Sequence, residues 1–188
     1  SLTLRSSPSG HSCKKCHYTD TTLKTYTKQE AHNMRWTHEQ RKQKLIEITD
    51  RDAEINEKAG AHIYKMEFVD YNDNDELILK YYIKPWQRNP FGNLQGGLIC
   101  YYIDATAGAL SWAAVDCDPV GTVDINVNFI RAVPEKSEYV TVKAKVISIG
   151  RRVVVATAEV YDPEGWLMAV ATTNTTRLLP PDPNPIIV

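Results

Sequence analysis

The sequence has little of what marks a secreted, fibrous or nucleic-acid-binding chain. Its 188 residues include 4 cysteines, and these are dispersed. Cys100 lies in an apolar run, Cys117 just beyond it, and Cys13 and Cys16 in a polar leader, so no disulfide framework is indicated. Charge of one sign is also missing: 22 basic against 23 acidic residues leave a formal charge of -1. With no block of like charges either, nucleic acid is argued against as the main partner, although a single phosphorylated ligand is not. The opening residues SLTLRSSPSGHSCKKC lack the charged-then-apolar order of a secretory signal, so the expected location is cytoplasmic. The longest apolar stretch, Gly96 to Val115, approaches the ~20 residues that span a bilayer. Asp104 stands near its middle, where a carboxylate costs at least ~2.5 kcal/mol in lipid, so the stretch reads as a buried core helix and no membrane partner is expected.

What is present, 43% apolar residues, suits one globular domain with an appendage. Residues 1 to about 36 are polar and without period. Thr37-His38-Glu39-Gln40 has the form of a capping box. After it, Leu45, Ile48, Asp52, Ile55 and Ala59 make a thin apolar stripe on a charged helix, which predicts a surface helix over about 37–59 packed by one edge, with Gly60 ending it. Residues 1–60 are therefore read as an N-terminal extension, 61–179 as the main domain and 180–188 as a Pro-rich tail.

Within 61–179, two β-rich runs flank the turn cluster Asn72-Asp73-Asn74-Asp75 and predict a hairpin. A loop from Trp86 to Gly97 leads into the apolar helix, predicted over Leu98–Ala114 and closed by Asp116, Asp118, Pro119 and Gly121. In TVDINVNFI, period two puts Val123, Ile125, Val127 and Phe129 on one face and Thr122, Asp124, Asn126 and Asn128 on the other. Strands follow at 138–149, 151–162 and 166–178. Hairpin, apolar helix and four antiparallel strands define an α+β fold in which a curved sheet wraps one central helix, which explains why that helix lacks a polar face.

The chemistry concentrates between Asn89 and Asp104. Gly96 and Gly97 fall at the start of the central helix, where backbone N–H groups have no intrahelical partner and the dipole favours negative charge. A thioester carbonyl placed there would have its developing oxyanion stabilised, and losing such a donor typically costs ~3 kcal/mol in the barrier. Asp104, two turns further on, is the one ionisable group in an apolar run, and a buried carboxylate must be compensated or used. Plainer readings exist for each residue. A Gly-Gly pair can merely start a helix, Asp104 can be a structural acid, Asn89 and Gln95 can satisfy loop backbone, and Thr122 can be a strand hydroxyl.

The stretch resembles the signature of hotdog-fold acyl-CoA thioesterases of the phenylacetate-pathway type, which carry an Asn, then His-Gly-Gly, then an Asp or Glu in the central helix. The counterparts are Asn89, Gln95-Gly96-Gly97 and Asp104. Downstream, GTVDINVNFIRAV and SIGRRVVVATAEVYDPEGWLMAVATTNTTRL resemble later strands of that family, so the likeness covers residues 61 to 179. The resemblance implies that the Gly96 N–H polarises the thioester carbonyl, that Asp104 attacks it or activates water, that Asn89 from a facing subunit orients carbonyl or water, and that Thr122, again across the dimer interface, holds the water. It also implies acyl-CoA as substrate, a homodimer or dimer of dimers, and no cofactor or metal. Gln95 departs from the usual His, and its amide still donates and accepts. Arg131, Arg151 and Arg152, each near a strand end, are candidates for coenzyme A phosphates, with Gly97 beside the substrate.

Two other functions fit the same fold. A non-catalytic acyl-CoA sensor is opposed by the retained Asp104, and an enoyl-thioester hydratase wants a His paired with a carboxylate, for which His62 is the only histidine in the domain. In the leader, Cys13-Lys-Lys-Cys16-His17 matches a haem-attachment motif without an export signal. A zinc site from Cys13 and Cys16 with His11, His17 or His32 lacks a second Cys pair, so an ordinary reduced pair is expected.

Overall fold

The computed structural model describes residues 2–3, 25–26, 36–58, 64–116 and 118–178. The chain forms two compact units, Ser1–Thr37 and His38–Val188. In the first, β1 (Leu2–Thr3) pairs antiparallel with β2 (Thr25–Tyr26). The Cys13/Cys16 motif with its histidines, His62, Cys117 and the Pro-rich tail lie outside the described residues.

The second unit starts with an outer helix, His38–Lys58, which groups with the sheet and not with the residues before it. Its buried stripe is narrow but departs from the pattern after Leu45: Leu45 is fully buried, Ile48 only partly, and Thr49, outside the predicted stripe, nearly so, its hydroxyl satisfied by donating to the Leu45 carbonyl at 2.7 Å. Polar contacts fix the rest of that face. Lys42 Nζ donates to Asp70 at 2.7 Å, and the His38 ring stacks on Tyr71 at 4.6 Å between centroids.

The hairpin β3 (Lys65–Tyr71) and β4 (Glu76–Tyr82) turns where the cluster of Asn and Asp predicts. Asn72 Oδ1 accepts the backbone N–H groups of Asn74 and Glu76 at 3.0 and 3.2 Å, while Asp75 takes the left-handed conformation at φ 58° that short polar residues tolerate. A 3-10 turn at Pro85–Gln87 and a loop lead to the central helix, Gly96–Ala114, two residues longer at its start than periodicity predicts. Then come β5 (Val120–Phe129), β6 (Tyr139–Ile149), β7 (Val153–Tyr161) and β8 (Leu167–Arg177).

These make a six-stranded antiparallel sheet in the order β3-β4-β6-β7-β8-β5. The central helix buries Tyr102, Ile103, Ala107 and Leu110 against its inner face. Where helix and sheet approach, the strands carry short side chains, namely Ala144, Ala156, Ala158, Ala169 and Ala171, all buried. Longer ones there would push the layers apart or leave voids. Larger residues, Leu77, Leu79 and Tyr81 on β4, fill the flank, and the buried Tyr81 hydroxyl is paired with Thr106 Oγ1 at 2.9 Å. This is the hotdog arrangement.

One strand departs from its sequence pattern. In β5, Thr122 faces Thr175 and Asp124 faces Asn174, so Val123 is an extra residue in a β-bulge, and it is 66% exposed. The bulge shifts the alternation by one. Thr122 therefore joins Ile125, Val127 and Phe129 on the helix side, and Val123 leaves the face that period two assigns it.

Candidate active site

The loop before the central helix is built to hold its shape. Asn89 Oδ1 accepts the backbone N–H groups of Phe91 and Asn93 at 3.0 and 3.1 Å, and Gly92, at φ 81°, closes the turn. Asn89 thus does satisfy the loop. Because its oxygen is used inward, the amide nitrogen is the part available to a ligand. Arg88 clamps the same loop from below, donating to the carbonyls of Gly92, Pro134 and Ser137 at 3.0, 3.1 and 2.8 Å. Sequence reading passed over Arg88, since nothing local distinguishes a loop arginine that ties backbone from a solvated one.

Gln95 occupies the N-cap in extended conformation (φ -62°, ψ 132°), and its carbonyl accepts the N–H groups of Leu98 and Ile99 at 3.0 and 3.3 Å. Its side chain makes no capping bond and is exposed. Gly96 and Gly97, the first two helical residues, have N–H groups without an intrahelical acceptor by position. Gly96 opens onto a cleft of ≈ 300 Å³ lined also by Asn89, Asn93, Phe129, Arg131 and Val133. A Cβ at Gly96 would sit 3.1 Å from Phe129 Cζ, whereas one at Gly97 meets nothing within 4 Å. Of the sequence-predicted residues, the structure brings Asn89, Gly96 and Arg131 around this one cleft.

Asp104 and Thr122 form a second group. The Thr122 hydroxyl donates to Asp104 Oδ1 at 2.6 Å, a contact that exists only because the Val123 bulge turns Thr122 inward. Asp104 is half-buried. At ~1.5 Å rise per residue, Asp104 lies about 12 Å along the helix from Gly96. Within one chain the two are too far apart to touch the same small group. Arg151 and Arg152 sit in the β6–β7 turn, exposed, in line with Gly121 at the Thr122 end of β5. Arg131 follows Phe129 at the other end, roughly 25 Å of strand away. The described residues include no cluster of His, Cys, Asp or Glu able to hold a metal, and no helix of theirs is long and apolar enough to cross a membrane.

Residues 91–169 match the model of the thioesterase superfamily, which bears out the superfamily resemblance read from Asn89 to Asp104. Solved structures share the fold. A thioesterase from Haemophilus influenzae superimposes with a TM-score of 0.61 at 21% identity, covering 71% of this chain and 93% of that one. A hypothetical thioesterase from Streptococcus pneumoniae, solved with coenzyme A, gives a TM-score of 0.54 at 18% identity, covering 61% and 89%. A Streptococcus mutans protein bound to acetyl CoA gives 0.54 at 17%, covering 60% and 88%. No curated protein matches the chain.

Proposed function

We propose that the protein hydrolyses acyl-CoA thioesters to a free acid and coenzyme A, through sites shared between two copies of the chain. The observation that carries this reading is the pairing of an exposed helix N-terminus over a cleft with a carboxylate whose orientation is set by a hydroxyl. One copy supplies Gly96, whose N–H polarises the carbonyl, together with Gly97, Gln95 and the Asn89 amide. The other supplies Asp104 and Thr122, which accounts for their separation within a subunit. The Thr122 hydroxyl occupies Oδ1, so Oδ2 is the oxygen that takes a proton from water or attacks the carbonyl carbon. As base, Oδ2 takes the proton while the hydroxyl of water adds to that carbon, the C–S bond breaks and the departing thiolate is protonated. As nucleophile, Oδ2 displaces the thiolate to give an acyl anhydride, which water cleaves to free the acid and restore the carboxylate. No cofactor or metal is required.

Association through β5 fits the same geometry. It is an edge strand, and Val123, Phe129 and the adjoining Ile130 are 66%, 54% and 48% exposed, apolar surface that a second copy would cover. Dimer or dimer of dimers, and a cytoplasmic, phenylacetate-type thioesterase, complete the reading.

Asp104→Asn tests it, because an amide keeps the shape and cannot act as base or nucleophile. In a thiol-release assay on short, medium, long and aromatic acyl-CoAs, kcat should fall by about 10²–10⁴-fold. Unchanged turnover would sink the mechanism, and tight binding of acyl-CoA by the native protein without hydrolysis would favour a sensor.

A further inference from the structure

Buried hydroxyls on the two helices are satisfied locally. Thr49 donates to the carbonyl of Leu45 and Thr106 to that of Tyr102, each one turn back, at 2.7 and 2.8 Å. Among the described residues, the hydroxyls of Ser111, Thr173 and Thr175 behave otherwise: they are buried and have no hydrogen-bond partner. An unpaired buried hydroxyl is destabilising, so one kept beside a reactive group calls for a use.

Register separates the three. Thr175 on β8 lies directly opposite Thr122 on β5, and Thr173 lies opposite Ile125. Directly opposite residues share a face of the sheet, with Cβ atoms about 5 Å apart. Thr175 therefore points to the helix side with Thr122, whose hydroxyl donates to Asp104 Oδ1 at 2.6 Å. The Thr175 hydroxyl, 1% exposed, is thus placed beside the Asp104 carboxyl, one strand inward from the edge. On its other side stands Val154, buried and without a polar side-chain group to offer. Thr173 is one inward-facing position further along, between Ile125 and Ala156, and Ser111 is about 10 Å along the helix from Asp104. Space is left at the Asp104 level. One turn on, the helix carries Gly108, where an added Cβ would meet nothing within 4 Å. A water is well held where it has room and at least two polar partners, and Asp104 and Thr175 supply them.

We propose that Thr175 is a positioning residue for hydrolysis, holding the attacking water at Asp104 Oδ2. One O–H of the water donates to Oδ2 and the other to Thr175 Oγ1, which leaves a lone pair free for the thioester carbon. As the bond to carbon forms, the first proton passes to Asp104, while the Thr175 hydroxyl gains and loses no atom. This rests on the acyl-CoA reading and deepens it, because it selects Asp104 as base over Asp104 as nucleophile.

The test uses the full chain in a thiol-release assay on acyl-CoA. Thr175→Val keeps the shape and removes the hydroxyl. Its kcat should fall by about tenfold with KM within about twofold, and its melting temperature should not drop, since an unpaired buried hydroxyl is exchanged for a methyl. Thr175→Ser should regain most of the rate. Thr173→Val, the same exchange opposite Ile125, should keep kcat within about twofold of native. Should Thr175→Val fail to fold, Thr175→Ala carries the same expectation for kcat and KM. Native turnover without the Thr175 hydroxyl, or an equal loss in Thr173→Val, would overturn the assignment and leave the hydrolase reading standing. A burst of one thiol per site in Thr175→Val, followed by a slow phase, would overturn it in favour of Asp104 as nucleophile. A native protein that cleaves no acyl-CoA would remove both.

Discussion

At Gly96 the absent side chain matters because of what stands opposite. An added Cβ would come within 3.1 Å of Phe129 Cζ, and a half-exposed ring can yield by a few tenths of an ångström. Gly96→Ala should therefore fold, helped by alanine's better helix propensity of up to ~1 kcal/mol. The crowding falls on the cleft, so kcat/KM should drop by about tenfold with the melting temperature kept. Native kcat/KM in that variant would mean that substrate does not approach this helix end. In the proposed mechanism Thr122 acts through Asp104. Removing its donor in Thr122→Val should lower kcat by about tenfold while KM stays, and Thr122→Ser should retain most of the rate, because it keeps the hydroxyl that donates at 2.6 Å. Equal rates for both variants would reduce the contact to a structural one.

Among the elements, the outer helix and the β3–β4 hairpin are joined by an ionic cluster with a defined pH response. The Tyr71 hydroxyl donates to Asp75 at 2.6 Å, and with His38 and Arg41 beside it this holds the Asp75 carboxyl below its usual 3.8. Lys42 does the same for Asp70. A carboxyl whose folded-state pKa is depressed contributes stability that is present above the unfolded value and is lost as pH falls through the lower folded one. Asp75→Asn keeps a residue that tolerates the left-handed turn conformation. The native protein should thus melt higher than the variant at pH 6, and the gap should close below about pH 4. A gap that persists undiminished at pH 3 would show that the cluster stabilises through shape and not through charge.

For the whole molecule, the proposed shared site, with Gly96 and Asp104 about 12 Å apart along one helix, predicts an active unit of two chains. Light scattering should find no lone active monomer. Mixing is sharper: Asp104→Asn and Asn89→Ala subunits, each nearly inactive alone, should regain activity once unfolded and refolded together. One of the two sites in each mixed dimer then has both halves intact. Absence of any recovery, with mixed dimers demonstrated, would place the whole site in one chain.

Periodicity and composition alone determine the six strands, the central helix and their order, because an apolar helix with no polar face is stable only if a sheet surrounds it. The candidate site residues are legible too, since an acid in an apolar run and glycines at a helix start are visible in one dimension. The tertiary structure decides what depends on register and direction. A single extra residue at Val123 turns Thr122 toward Asp104 against its own alternation. Asn89 spends its oxygen on the loop and Arg131 is stacked on a tryptophan far along the chain. Bulges and cross-strand neighbours arise from pairing between distant segments, and no local pattern encodes them.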